Sequence, residues 1–180
     1  MNVDLEKYCK RGIEYGSTHA KIIHPSSVVT AAWVRLKCHF GCWLYNKGYC
    51  CPPYTPTSEE TRELLDCYHH AILFHKESPE TPEREKSLKK YYERLIDLEE
   101  EIFKDGYYKA FVLLCGPCLN CKECNALKKA EPCKFGSRAR PSMEACGIDV
   151  FQTARNNGFF VKTLSKQTET RNQYCLMLVD

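Results

Sequence analysis

The sequence predicts an α+β or α/β fold, a single domain with a mixed β-sheet flanked by helices and carrying two cysteine-rich loops. Three observations lead there. Of 180 residues, 43% are hydrophobic and 27% charged, which supplies a packed core and does not suit disorder. Short apolar runs of strand length alternate with longer stretches in which apolar residues recur every three or four positions. Ten of the thirteen cysteines crowd into two segments, 38–56 and 115–146, each placed after an expected strand.

In chain order, a first helix is expected from Asp4 to Tyr15, stopped by Gly16. Ala31 to Lys37 (AAWVRLK) reads as a strand running straight into the first cysteine segment, Cys38 to Cys51. Pro52, Pro53 and Pro56 then stiffen the chain and end regular structure. Ser58 opens a helix to about Tyr68, with Glu59 and Glu60 near its positive end. His70 to His75 (HAILFH) is a short buried strand.

Thr81-Pro82 begins the longest helix, reaching about Asp105. Its apolar residues Leu88, Tyr91, Leu95, Leu98 and Ile102 fall at three- and four-residue steps, and Gly106 ends it. Tyr108 to Cys115 is a second buried strand, feeding the second cysteine segment, Cys118 to Cys133. Pro141 opens a helix to Asn156, ended near Gly158. Phe159 to Leu164 and Tyr174 to Val179 are the last strands. Both cysteine segments are thus expected on loops that leave strands and enter helices, where a sheet holds site residues rigidly.

Composition narrows the function. A net charge of +3 without a clustered basic face does not suit nucleic acid. No run approaches the roughly eighteen apolar residues needed to span a bilayer. The first ten residues, MNVDLEKYCK, carry Asp4 and Glu6 and no apolar run, unlike a signal peptide. A cytoplasmic protein is expected, with no nucleic-acid or membrane partner. An odd count of thirteen cysteines there suits metal ligation better than a disulfide scaffold.

Residues 115–133 read CGPCLNCKECNALKKAEPC. Cys118-x2-Cys121-x2-Cys124 has the three-cysteine spacing of bacterial ferredoxin motifs, in which successive thiolates take three corners of one [4Fe–4S] cube. In a ferredoxin the fourth cysteine follows closely and precedes a proline. Here Cys133 comes after eight intervening residues and Pro132 precedes it. Cys133 is the favoured fourth ligand, with Cys51 folding in from afar as the alternative. Structural zinc also uses four thiolates, usually in two separated pairs, so zinc is the alternative metal.

Residues 38–56 read CHFGCWLYNKGYCCPPYTP. Cys38, Cys42 and Cys51 are spaced for one metal centre, with Gly41 and Gly48 permitting tight turns. Cys50, next to Cys51, points the other way and counts as secondary. A fourth ligand is not evident: His39, Cys50, Cys146, Cys115 or an exogenous molecule could complete the set. A metal position left open is the usual mark of chemistry. The plainer reading packs Cys38 and Cys42 beneath the loop beside Trp33 and Trp43.

Three blocks carry a resemblance to a known family: Cys38, Cys42 and Cys51 to Pro56 (CxxxC…CPPYTP), Gly116 to Cys124 (GPCLNCKEC), and Arg140 to Val150 (RPSMEACGIDV). Over nearly the whole chain the sequence resembles the prokaryotic "predicted metal-binding protein" family, domain of unknown function 2284. The resemblance implies metal binding and carries no assigned reaction. Cys9, Cys67 and Cys175 lie outside the blocks and read as ordinary buried thiols.

Arg138 and Arg140, just after the second segment, could neutralise an anionic thiolate-bound cluster or grip an anionic substrate. Otherwise they pair with Glu144 and Asp149. The histidines outside the cysteine blocks receive no role, and no dinucleotide fingerprint, phosphate loop or nucleophile elbow is present. The expectation is one or two [4Fe–4S] clusters serving electron transfer or reductive activation of a redox partner protein. The alternatives are an enzyme acting on a small-molecule substrate at an open iron, as in sulfur removal or transfer, and a zinc-stabilised binding module.

Overall fold

In the computed structural model, which describes residues 4–128 and 131–180, the fold is α+β. Strands β1 (His19–Ile23), β2 (Ala71–Ser78), β3 (Phe111–Leu113) and β4 (Arg171–Leu178) form one sheet in the order β1-β2-β4-β3, each neighbouring pair antiparallel. A parallel bridge between Leu114 and Ser142 prolongs the β3 edge. The central strands are buried on both faces, which explains why HAILFH carries no polar alternation.

Helices α1 (Glu6–Glu14) and α4 (Arg84–Lys104) cover one face, where Phe74, Cys175 and Met177 meet Tyr8, Tyr91, Leu95 and Ile102. The expected periodicity of α4 holds: Tyr91, Leu95, Leu98 and Ile102 are buried and Leu88 is partly so. Gly106 ends the helix at φ +102°. Helices α3 (Ser58–Leu65) and α5 (Val150–Asn156) lie over the other face, where Leu73, Leu176 and Leu178 pack with Leu65, Met143, Ile148 and Ala154. A capping box starts α3, and its cap is Thr57, paired reciprocally with Glu60, one residue before the expected Ser58.

Four local expectations are corrected. Ala31 to Lys37 is not a strand but most of helix α2 (Ala32–Gly41). The decisive period there is helical: Arg35 and Cys38, three residues apart, share one face, Cys42 follows as the extended residue after the last turn, and only Val34 of the helix is buried. The chain from Pro141 is not one helix, because Gly147 sits at φ +76° and ends a 3-10 turn at Glu144–Cys146. Helix α5 then restarts with the Asp149 side chain accepting from the Gln152 amide. Phe159 to Leu164 forms no strand, and β1 joins the sheet from a stretch with no strand expected. The first cysteine segment therefore leaves a helix, while the second leaves strand β3 as expected. Among the described residues, no helix is long and apolar enough to cross a membrane.

Candidate metal centre

The end of α2, the proline-rich loop after it, and the 3-10 turn at Glu144–Cys146 meet beyond the β3 edge. Arg35 fastens them together. Its Nη1 lies 2.7 Å from Thr55 Oγ1, 2.9 Å from the Pro56 carbonyl and 2.6 Å from the Ala145 carbonyl. Thr55 Oγ1 also donates to the Ala145 carbonyl at 2.6 Å, and Thr61 Oγ1 to the Cys146 carbonyl at 2.6 Å. On the sheet side, the Met143 amide donates to the Leu114 carbonyl and the Leu114 amide to the Pro141 carbonyl. The buried backbone of the turn is thereby paired on both sides.

These elements enclose a cavity of about 150 Å³ whose wall includes Cys38, Cys42, Cys51, Tyr45, Gly116 and Glu144. Three sequence-predicted cysteines thus come together. Burial, then the neighbouring Cys42, pushes the Cys38 thiol up, and burial followed by its cysteine neighbours pushes Cys51 up to about 11. Both act as protonated thiols until something in the cavity takes their protons. Trp33 and Trp43 are 47% and 75% exposed, so they do not bury Cys38 and Cys42 as the plainer reading required. Cys38, Cys42 and Glu144 also line an open apolar groove of about 900 Å³, bounded by Leu36, Phe40 and Trp43.

The second cysteine segment folds beside the first. Cys121 lies within electrostatic reach of Cys124, Cys118 and Cys133, which are the four residues of the predicted CxxCxxC…C set. The Asn125 side chain donates to the Pro132 carbonyl at 2.9 Å, and Tyr49 Oη to the Glu131 carbonyl at 2.6 Å, tying the Cys133 arm to both segments. Cys50, expected to be secondary, lies against Cys118 and near Cys133. Cys118 is the thiolate of this pair, lowered to about 6 first by the Cys50 thiol and then, against its burial, by the Asn120 amide. Cys50 thus lies beside the second cysteine group, while Cys51, next to it in sequence, lines the first cavity and remains within reach of Cys118 and Cys124.

The candidates for a fourth ligand at Cys38, Cys42 and Cys51 are mostly engaged elsewhere. His39 is stacked between the rings of Phe40 and Tyr45, each 4.5 Å away. Cys115 is buried against Tyr92 Oη at 3.5 Å and against Cys175. Cys146 packs with Met143 and Ile148 in the core, burial raising it to about 12. In their place, Glu144 lines the cavity; its Oε2 is buried and has no hydrogen-bond partner. By sequence Glu144 is only an acid near a helix start; its one signal is its position inside the RPSMEACGIDV block.

Among the described residues, no three His, Cys, Asp or Glu side chains converge closely enough to chelate a single metal ion. The thiols instead surround a cavity. Soft sulfur donors around a half-open cavity, with an orphaned carboxylate oxygen in the wall, fit a bound metal group.

Arg138 donates to Asp97 at 2.7 Å and Arg140 to Glu99 at 2.6 and 2.8 Å, both carboxylates on α4. The expected partners Glu144 and Asp149 are not used. Cys9 and Cys175 are buried as expected, but Cys67 is exposed, because it lies in the turn after α3 and its Sγ meets only the Glu63 carbonyl at 3.4 Å.

Over residues 21–179 the chain matches the family described as "Predicted metal-binding protein (DUF2284)". No curated protein and no solved structure matches it.

Proposed function

The chain belongs to this family of predicted metal-binding proteins of unknown function, and on that premise we propose that it holds iron–sulfur clusters at two neighbouring centres and passes electrons to a partner protein. One observation carries the reading: Cys38, Cys42 and Cys51 share the wall of one cavity, while Cys50, next to Cys51 in sequence, lies beside Cys118 and Cys133 of the other segment. Cys118, Cys121, Cys124 and Cys133 would hold one [4Fe–4S] cluster, and Cys38, Cys42 and Cys51 another. Such a cluster, when bound, supplies single-electron transfer at a potential set by its ligands and burial. The peptide linking Cys50 and Cys51 would keep the two centres in fixed proximity, and Arg35 would hold the Cys51 loop against its cavity.

Lining of a cavity suits a cluster better than a lone zinc ion, whose tetrahedral thiolates crowd to about 2.3 Å around one point. All thirteen cysteines are free thiols, which suits a reducing, cytoplasmic setting. Anaerobic purification with iron, sulfide and zinc analysis tests the reading. Brown protein with about four to eight irons and matching sulfide per chain is expected. One zinc without sulfide overturns it and promotes the zinc-stabilised module.

A second reading is favoured by the groove beside Cys38 and Cys42. An open, apolar-walled approach to a three-cysteine centre suits an enzyme whose small substrate binds at the metal. Binding of a small apolar thiol that perturbs only this centre's spectrum would favour it over pure relay.

A further inference from the structure

The three cysteines at the cavity leave a cluster one protein ligand short, and one side chain stands where it could supply the fourth. Glu144 Oε2 is buried with no hydrogen-bond partner, in the wall of the same cavity that Cys38, Cys42 and Cys51 line. Its carboxyl group lies near its own amide, the Ser142 hydroxyl and the Gly116 amide, none of them in hydrogen-bonding geometry with Oε2. Whether ionised or protonated, Oε2 lacks a partner in the protein, and a buried polar atom in that state calls for one from the cavity. The turn that carries Glu144 is held by Arg35 and Thr55 through the Ala145 carbonyl, so the carboxylate is presented on fixed backbone.

The geometry points to Glu144 as the fourth protein ligand of the centre formed with Cys38, Cys42 and Cys51. This rests on the iron–sulfur reading of that centre. A carboxylate is a harder donor than the three thiolates, so the metal atom it holds differs from the others and exchanges its ligand more readily. Glu144 also lines the apolar groove, so the exchangeable position faces the route by which an incoming ligand would arrive. A neutral or anionic small molecule with a soft donor atom, a thiol or sulfide for example, is the chemical class that would displace it.

The test uses the full chain, prepared anaerobically with ferrous iron enriched for Mössbauer spectroscopy, as wild type, Glu144→Gln, Glu144→Ala and Glu144→Cys. Glutamine keeps the side-chain volume and guards against a fold defect, which thermal unfolding of each variant reports. In the wild type, one iron of one cluster should stand apart from its neighbours; Glu144→Cys should erase that distinction. Cyanide should perturb one reduced cluster of Glu144→Ala and Glu144→Gln at a concentration at least tenfold below that needed for wild type. Identical iron spectra and equal cyanide responses in wild type, Glu144→Ala and Glu144→Cys overturn the inference.

Failure of the iron–sulfur reading looks different: wild type then holds zinc and no sulfide. In that event the same variants are read with cobalt in place of zinc. Glu144→Cys should raise the thiolate-to-cobalt absorption by about a third, as three thiolates become four. Unchanged absorption in Glu144→Cys and Glu144→Ala overturns the role of Glu144 there too.

Discussion

The Cys50 thiol lies against the Cys118 sulfur, placed to donate to it, bringing the two cysteine segments together through their side chains. The donor keeps its proton first because Cys118 sits beside it, and then because burial and the neighbouring thiols oppose a second negative charge. The acceptor is a thiolate, lowered to about 6. In metal-free protein, Cys118 should therefore be alkylated by iodoacetamide with a rate that rises through about pH 6 and levels off above it. Removing the donor in Cys50→Ala should move that inflection upward. Peptide mass mapping of the alkylated site against pH reads both outcomes, and an inflection unchanged by Cys50→Ala would refute the pairing.

Ligand cysteines and packing cysteines should part cleanly on substitution. Cys118→Ala or Cys121→Ala removes one corner of the four-cysteine group and should lose its metal and much of the fold's stability. Cys9 and Cys175 lie in the core beneath α1 and α4, at 5% and 1% exposure. Cys9→Ala and Cys175→Ala should lower stability slightly and leave metal per chain unchanged. Equal metal loss in both groups would show that the ligands have been misassigned.

Arg35 should matter to metal retention without touching metal. Its guanidinium bridges the Thr55–Pro56 segment to the Ala145 carbonyl, and charged hydrogen bonds of this kind contribute about 1.5–3 kcal/mol each. Arg35→Met should lower the unfolding midpoint and release metal from the Cys38, Cys42 and Cys51 centre faster to a chelator. The four-cysteine centre should be less affected.

Gly147 is held in place by both conformation and space. Its φ is +76°, and a Cβ there would sit 3.0 Å from Ser58 Cα and Cβ. Gly147→Ala should cost about 1–3 kcal/mol through the left-handed backbone alone, more once the contact with α3 is included. Gly136, where an added Cβ would meet nothing within 4 Å, is the control. Chemical denaturation of both variants reads the difference, and equal midpoints would contradict it.

Alkaline pH should weaken the metal-free fold. Burial, with Glu6 adding to it, holds the Cys9 thiol up at about 11, against an ordinary value of 9.0. A raised folded value means that its contribution is whole below about pH 9 and is lost as pH climbs towards 11, because the unfolded chain releases the proton first. The unfolding free energy from urea titration should fall across that window, by up to roughly 2–3 kcal/mol for this group. Cys9→Ala should flatten that part of the decline, and an unaltered slope would show the thiol to be solvated.

Local chemistry in the sequence was enough to decide how the cysteines group along the chain and which elements form where signals are short-range. The α4 stripe, the Gly16, Gly106 and Gly158 stops, and the apolar runs at β2 and β4 depend only on side chains a few residues apart. The three cysteine-bearing blocks likewise carry their spacing in the chain itself. The fate of AAWVRLK was not local: extended at Ala31, the chain turns helical at Ala32, where the Ala31 amide is held by the Gly147 carbonyl at 2.8 Å. The roles of Cys50, Arg35 and Glu144 depend on contacts with residues far along the chain: Cys118 for the first, the Ala145 carbonyl for the second, and for the third a cavity walled by cysteines from the other segment. Such side chains have no periodic partner to betray them, so only the packing of α2, the proline loop and the Glu144 turn beyond β3 could assign them.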